Sequence, residues 1–151
     1  MGTSRIGTSE SGTRGFAIED LHVGQTATLS KTITEADILA YAAVSLDTNP
    51  VHLDEQAARE TGFDGRIAHG MLSAGLISAL LGTHLPGPGT IYLRQSLNFR
   101  APVRIGETVK AVVEITDLKP ASKRATLRTK CMVEDDVVID GEACVLVPSR
   151  G

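Results

Sequence analysis

Between Met71 and Gly82 the chain runs Met-Leu-Ser-Ala-Gly-Leu-Ile-Ser-Ala-Leu-Leu-Gly, with no charge and no proline. The spacing predicts a helix over 70–81 that is apolar on nearly every face. Such a helix has to be covered on nearly every face. At ~1.5 Å per residue it is ~18 Å long, too short to span a bilayer. The rest of the chain must therefore wrap it. Pro86-Gly87-Pro88-Gly89 stops the helix. From Thr90 onward the pattern is that of strands: Ile91 to Phe99, Glu107 to Leu118, Arg124 to Val133 and Val137 to Val147. The second alternates through Val109, Ala111, Val113 and Ile115, the third through Leu127, Thr129, Cys131 and Val133. Turns are expected at Pro120-Ala121-Ser122-Lys123 and at Asp135-Asp136. Four consecutive strands after a buried helix predict an α+β domain, an antiparallel sheet curled around the helix.

The first half of the chain supplies what lies beside that helix. Gln25 to Ile33 reads as a strand. Thr34 reads as the cap of a helix with Glu35 and Asp37 in its first turn and Ile38, Leu39, Tyr41 and Ala42 on its apolar face. Asp54 to Thr61 reads as a short helix ended by Gly62. Met1 to Gly15 is rich in Gly, Ser and Thr and lacks the apolar middle of a signal peptide. It is expected to be a disordered tail, residues 1–15, ahead of one domain over residues 16–151 in a cytoplasmic protein.

Composition narrows the function. Net charge is −3, aromatics make up 3% and there is no Trp, which argues against a nucleic-acid partner. No apolar run is long enough for a membrane span. Cys131 and Cys144 fall in strand-like segments and read as reduced core thiols, with no CxxC or Cys/His cluster to hold zinc. There is no metal-ligand spacing of the HExxH kind, no GxGxxG and no P-loop. No metal and no redox or nucleotide cofactor is expected.

The stretch Asp47-Thr48-Asn49-Pro50-Val51-His52 sets a carboxylate and an imidazole at the two ends of a segment expected to be an irregular turn rather than helix. Pro50 has no N–H and pushes Asn49 toward extended backbone. Two readings are open. Asp47 can cap a turn while His52 satisfies a loop carbonyl. Alternatively the two form an acid/base pair beside a dry pocket offered by the apolar helix. His69-Gly70 opens that helix, where N–H groups are free and Gly70 admits another group close to the backbone. A thioester oxygen can bond there, in the manner of an oxyanion donor. Ser73 and Ser78 are the clearest hydrogen-bonding side chains in the apolar run. Neither sits in a Gly-x-Ser-x-Gly elbow, so neither reads as a nucleophile. Ser78 is available to orient Asp47.

Tyr41 to Asp54 and Ile67-Ala-His-Gly-Met-Leu-Ser-Ala-Gly75 together resemble the hydratase motif of the MaoC-like, (R)-specific enoyl-CoA hydratases. The likeness runs from about Phe16 to Pro148 and includes Leu85-Pro-Gly-Pro-Gly to Phe99. The resemblance implies a hot-dog fold, a long central helix wrapped by a curved antiparallel sheet. It implies a homodimer, with acyl-CoA bound near the subunit interface. It assigns Asp47 and His52 as the catalytic pair, Gly70 N–H as the donor to the thioester carbonyl, and Ser78 as a residue that positions the aspartate. Asn49 supports the turn. The reaction implied is reversible hydration of a trans-2-enoyl-CoA to the (R)-3-hydroxyacyl-CoA, in fatty-acid or polyhydroxyalkanoate-type metabolism. The rivals are an acyl-CoA thioesterase, a 3-hydroxyacyl-carrier-protein dehydratase and a non-catalytic acyl-thioester binding module. One residue departs from the motif: the glycine usual before the aspartate is Leu46, which is strained if that position needs φ > 0. Arg66, Arg94, Arg100, Lys123 and Arg124 are the cations available to CoA phosphates.

Overall fold

The apolar helix, α4 (Gly70–Thr83), lies against a five-stranded sheet. This computed structural model describes residues 14–151. Ahead of α4 come β1 (Thr26–Thr32), α1 (Glu35–Ser45), α2 (Pro50–Leu53) and α3 (Glu55–Glu60). After it come β2 (Ile91–Phe99), β3 (Thr108–Lys119), β4 (Arg124–Val133) and β5 (Asp136–Leu146). The strands are ordered β1-β3-β4-β5-β2, and every neighbouring pair is antiparallel. The expected α+β arrangement holds. Most of the tail expected over residues 1–15 lies outside the described residues. Order is already present at Gly15, whose N–H donates to Pro88 O at 3.1 Å.

Alternation along the strands decides which face meets the helix. Val109, Ala111, Val113 and Ile115 of β3 and Leu127 and Cys131 of β4 are buried, as expected from their period of two. They pack with Ile77, Leu80 and Leu81 of α4 and with Ile33 and Ile38 in one core. Burying a side chain such as Leu80 contributes about 1.5–3 kcal/mol. Thr129 points into the same core, and its hydroxyl accepts from Gln95 Nε2 at 2.9 Å. Both cysteines are free and buried, as expected.

Three details differ from the sequence expectation. The helix is not covered on all sides: Met71, Gly75, Ser78 and Gly82 form an exposed stripe at helical spacing. The sheet of one chain encloses only the opposite face. The segment after Asn49 is a helical turn, because Pro50 occupies its first position, where a missing N–H costs nothing and a fixed φ fits. The β4–β5 turn falls on Glu134 and Asp135, with Glu134 at φ 55°, and Asp136 already pairs with Val133.

Cys131 sits under α4, its Sγ–H directed at Ser73 O at 3.5 Å. Burial pushes its thiol up to about 12. A thiol that ionises less readily folded than unfolded has no effect at neutral pH. Above the ordinary value of 9.0 the unfolded chain loses the proton first, so stability falls as pH rises. The slope is about 1.4 kcal/mol per pH unit. Thermal unfolding from pH 7 to 11 is expected to show this alkaline loss in the wild type and a shallower one in Cys131→Val. Equal slopes would refute the assignment.

Candidate active site

Local hydrogen bonding builds the 46–54 segment. Thr34 caps α1 through Asp37 N–H, and Asp37 returns the bond to Thr34 N–H. At the far end of α1 the backbone turns at Leu46, with φ 67° and ψ 13°. The position usually held by glycine is therefore left-handed, and a leucine occupies it. Ser45 Oγ accepts from Asp47 N–H at 3.1 Å, and Asp47 Oδ1 accepts from Asn49 N–H at 3.2 Å. Asn49 then caps α2, its Oδ1 accepting from Val51 N–H at 3.2 Å. Asn49 thus holds Asp47 by its backbone and starts the helical turn that carries His52.

His52 is buried, and its Nδ1 lies 2.8 Å from Ile67 O. A carbonyl only accepts, so Nδ1 carries a hydrogen, and in the neutral ring Nε2 is the nitrogen with a lone pair. Arg66 secures the same turn from behind. Its Nε donates to His52 O at 2.8 Å, and its Nη1 pairs with Glu35 at 3.1 Å. Arg66 is thereby committed to structure. Arg100 lies on the cavity rim and pairs with Asp140 at 2.5 Å, and Arg94 lines a second cavity.

His69 belongs to the site more fully than its sequence position suggested. It is 2% exposed, and its ring stacks on that of His52 with centroids 3.9 Å apart and planes 28° from parallel. Tyr41 packs on it at 4.7 Å. Its Nε2 donates to the backbone carbonyl of Asp47 at 2.9 Å. One imidazole therefore touches both ends of the expected pair. The signal in the sequence was only its place before Gly70. Ligand-capable atoms of Asp47, His52 and His69 all lie within 4.8 Å of one another.

Gly70 is the first residue of α4, and the His69 side chain does not cap it. A Cβ at Gly70 would lie 2.7 Å from the ring of Phe99, so only glycine lets that ring close over the helix start. Asp47, His52, His69, Gly70 and Ser73 share a cavity of about 450 Å³, whose remaining walls are mostly apolar. Ser78 is not there. It lies eight residues along α4 from Gly70, a rise of ~12 Å, in a separate cavity with Met71, Gly75, Tyr92 and Arg94. Within one chain Ser78 makes no hydrogen bond to Asp47 among the described residues, so the expected positioning contact is not made there.

A carboxylate and a free imidazole nitrogen at the mouth of an apolar cavity, beside an uncapped helix N-terminus, are an arrangement chemically able to transfer protons on a carbonyl compound. The chain matches the family described as "MaoC like domain" over residues 21–140, and it belongs to that family. It is 60% identical over 133 residues to the (R)-specific enoyl-CoA hydratase of Rhodospirillum rubrum, covering 88% of this chain and 92% of that protein. It is 54% identical over 137 residues to the 3-hydroxybutyryl-CoA dehydratase of Methylorubrum extorquens, covering 91% and 87%. Among solved structures it resembles the (R)-hydratase from A. caviae involved in PHA biosynthesis. That match has a TM-score of 0.83 and 47% identity, over 86% of this chain and 99% of that one. The fold is thus the hot-dog fold that the resemblance implied.

Leu46 is 82% exposed, so its side chain contributes little burial. A left-handed non-glycine residue costs roughly 1–2 kcal/mol, partly offset by the greater unfolded-state freedom of glycine. Leu46→Gly is expected to stabilise the protein by about 0.5–1 kcal/mol, a rise in Tm of roughly 1–4 °C. A lower Tm on thermal unfolding would show that the leucine side chain, not the backbone, decides the position.

Proposed function

We propose that this chain is an (R)-specific enoyl-CoA hydratase, adding water reversibly to a trans-2-enoyl-CoA to give the (R)-3-hydroxyacyl-CoA. The observation that carries this reading is the meeting of Asp47 and the free Nε2 of His52 beside Gly70 N–H in one apolar cavity. A carboxylate oxygen of Asp47 and a ring nitrogen of His52 lie within 4.8 Å of each other, a separation that one water can bridge. The likeness to the R. rubrum hydratase and the M. extorquens dehydratase supports the reaction. The involvement of the A. caviae (R)-hydratase in PHA biosynthesis supports a role in polyhydroxyalkanoate or fatty-acid metabolism.

In this reading Asp47 and His52 share the water. As its oxygen bonds to C3, the pair takes its proton. The electrons of the C2–C3 double bond move toward the thioester oxygen, where Gly70 N–H and the start of α4 receive the charge. The electrons return to C2, which takes a proton from the pair. The two groups act as a coupled unit. His69 holds Asp47 by its backbone and His52 by its ring, keeping both in register with the water. The chemistry moves protons only, so it calls for no metal or redox group. A cytoplasmic setting accords with the two free thiols. No helix among the described residues is long and apolar enough to cross a membrane.

The working unit in this proposal is a homodimer. β2 is an edge strand with exposed Ile91, Tyr92, Leu93 and Phe99, and it lies beside the exposed stripe of α4. Pairing two β2 edges extends the sheet and covers both stripes. Ser78 lies on that pairing face. Sedimentation is expected to give twice 15.9 kDa, with Leu93→Glu giving monomer. A monomeric wild type would refute this arrangement.

With crotonyl-CoA, loss of the conjugated-enoyl absorbance is expected without release of free thiol. Thiol release would instead indicate a thioesterase, with water attacking C1. Asp47→Asn is expected to lower kcat by about 10²–10⁴ with Tm nearly unchanged, since Asp47 is exposed and the amide keeps the bond from Asn49 N–H. Near-normal turnover in that variant would overturn the mechanism.

A further inference from the structure

Asp47 is exposed, and almost everything that bonds its turn is local. Among the described residues, Leu46, Asp47 and Thr48 make hydrogen bonds within residues 42–49 in every case but one. The exception is the bond from His69 Nε2 to the Asp47 carbonyl, 2.9 Å long and spanning 22 residues. His69 is anchored where Asp47 is not. It is buried, and its own carbonyl accepts from the N–H groups of Leu72 at 3.1 Å and Ser73 at 3.5 Å. Its backbone is thus part of the start of α4. The residue before it, Ala68, donates its N–H to Val103 O at 2.7 Å. The residue after it is Gly70.

The ring fits in one state. A carbonyl only accepts, so Nε2 carries a hydrogen. Nδ1 is buried and has no hydrogen-bond partner. Ser73 Oγ, four residues on, is also buried and unpartnered, so neither atom serves the other. Moving the hydrogen to Nδ1 would bury a donor without an acceptor and turn the Nε2 lone pair against the carbonyl. The rings of His52 and Tyr41, with centroids 3.9 Å and 4.7 Å away, restrict its rotation.

We propose that His69 is a positioning residue for the reaction, and that its Nε2–H bond, rather than its ring face, holds Asp47 at a set distance from Gly70 N–H. This rests on the reading of the site as a hydratase. The proton-transfer end and the thioester end of the site lie on different elements. One side chain, whose backbone adjoins Gly70, joins them. Without the bond Asp47 is held only by its own turn. A displacement of ~1 Å in such a group costs about 10²-fold in rate. The bond goes to a backbone carbonyl and not to substrate, so its loss falls on kcat and spares KM.

The test compares wild type with His69→Gln, His69→Asn and His69→Phe. A glutamine amide ends at the level of Nε2 and can donate to Asp47 O. An asparagine amide ends at the level of Nδ1 and falls short. Phenylalanine keeps a ring against His52 and Tyr41 but has no donor. kcat and KM are measured with crotonyl-CoA, Tm by thermal unfolding, and the ring tautomers by nitrogen NMR. The wild type is expected to show His69 with its hydrogen on Nε2. His69→Asn and His69→Phe are expected to lower kcat about 10²-fold with KM within about threefold of wild type. His69→Gln is expected to recover about tenfold of that loss. Wild-type kcat in His69→Phe overturns the proposal, as does a His69→Gln no faster than the other two. Losses of kcat that simply follow Tm across the three variants mean a structural role alone and also overturn it. A hydrogen on Nδ1 of His69 in the wild type overturns it with no variant needed. A wild type that hydrates no enoyl-CoA removes the hydratase reading and this proposal with it. An active wild type with insensitive variants removes this proposal alone.

Discussion

Everything in this molecule is arranged around one helix that is too apolar to stand in water and is covered on one side by a twisted sheet. β3 and β4 bury their alternate residues against Ile77, Leu80 and Leu81. That contact fixes where the start of α4 lies, because a helix packed along its length cannot move its end independently. Gly70 is therefore presented at a set position, with Phe99 over it and no side chain capping it. The core and the electrophilic end of the site are consequences of the same packing.

The other half of the site is held by hydrogen bonds and not by packing. Asp47 is exposed, and its segment gains its shape from Ser45, Asn49 and the left-handed turn at Leu46. Two histidines join it to the helix. His52 reaches Ile67 O, and His69 reaches Asp47 O, so each ring nitrogen that faces the backbone is a donor. Arg66 adds a third tie at His52 O. The exposed segment that carries Asp47 is thereby fastened to the rest of the fold at several points.

Much of the fold was legible in the chain. Period-two alternation marked β3 and β4, Thr34 with Asp37 marked the start of α1, and Pro-Gly-Pro-Gly marked the end of α4, because each of these signals is local. Of the two open readings of the Asp47 and His52 segment, the structure contains the bonds of the capping one. His52 bonds a loop carbonyl and Asp47 accepts a turn N–H, and both residues line the cavity. What was not legible depended on neighbours distant in sequence. The stacking of His69 on His52 joins residues on different elements. The place of Ser78 on the open stripe depends on which helix face the sheet takes.

Periodicity, capping and backbone freedom act over a few residues, so the helix, the alternating strands, the turn carrying Asp47 and the glycine at position 70 can be read from the chain alone. The φ of 67° at Leu46, the bridging of Asp47 and His52 by His69, and the burial of the Ser73 hydroxyl without a hydrogen-bond partner emerge only in the folded chain. These outcomes depend on where α4 docks against the sheet. That choice sums the burial of residues far apart in the chain, and no local pattern encodes it.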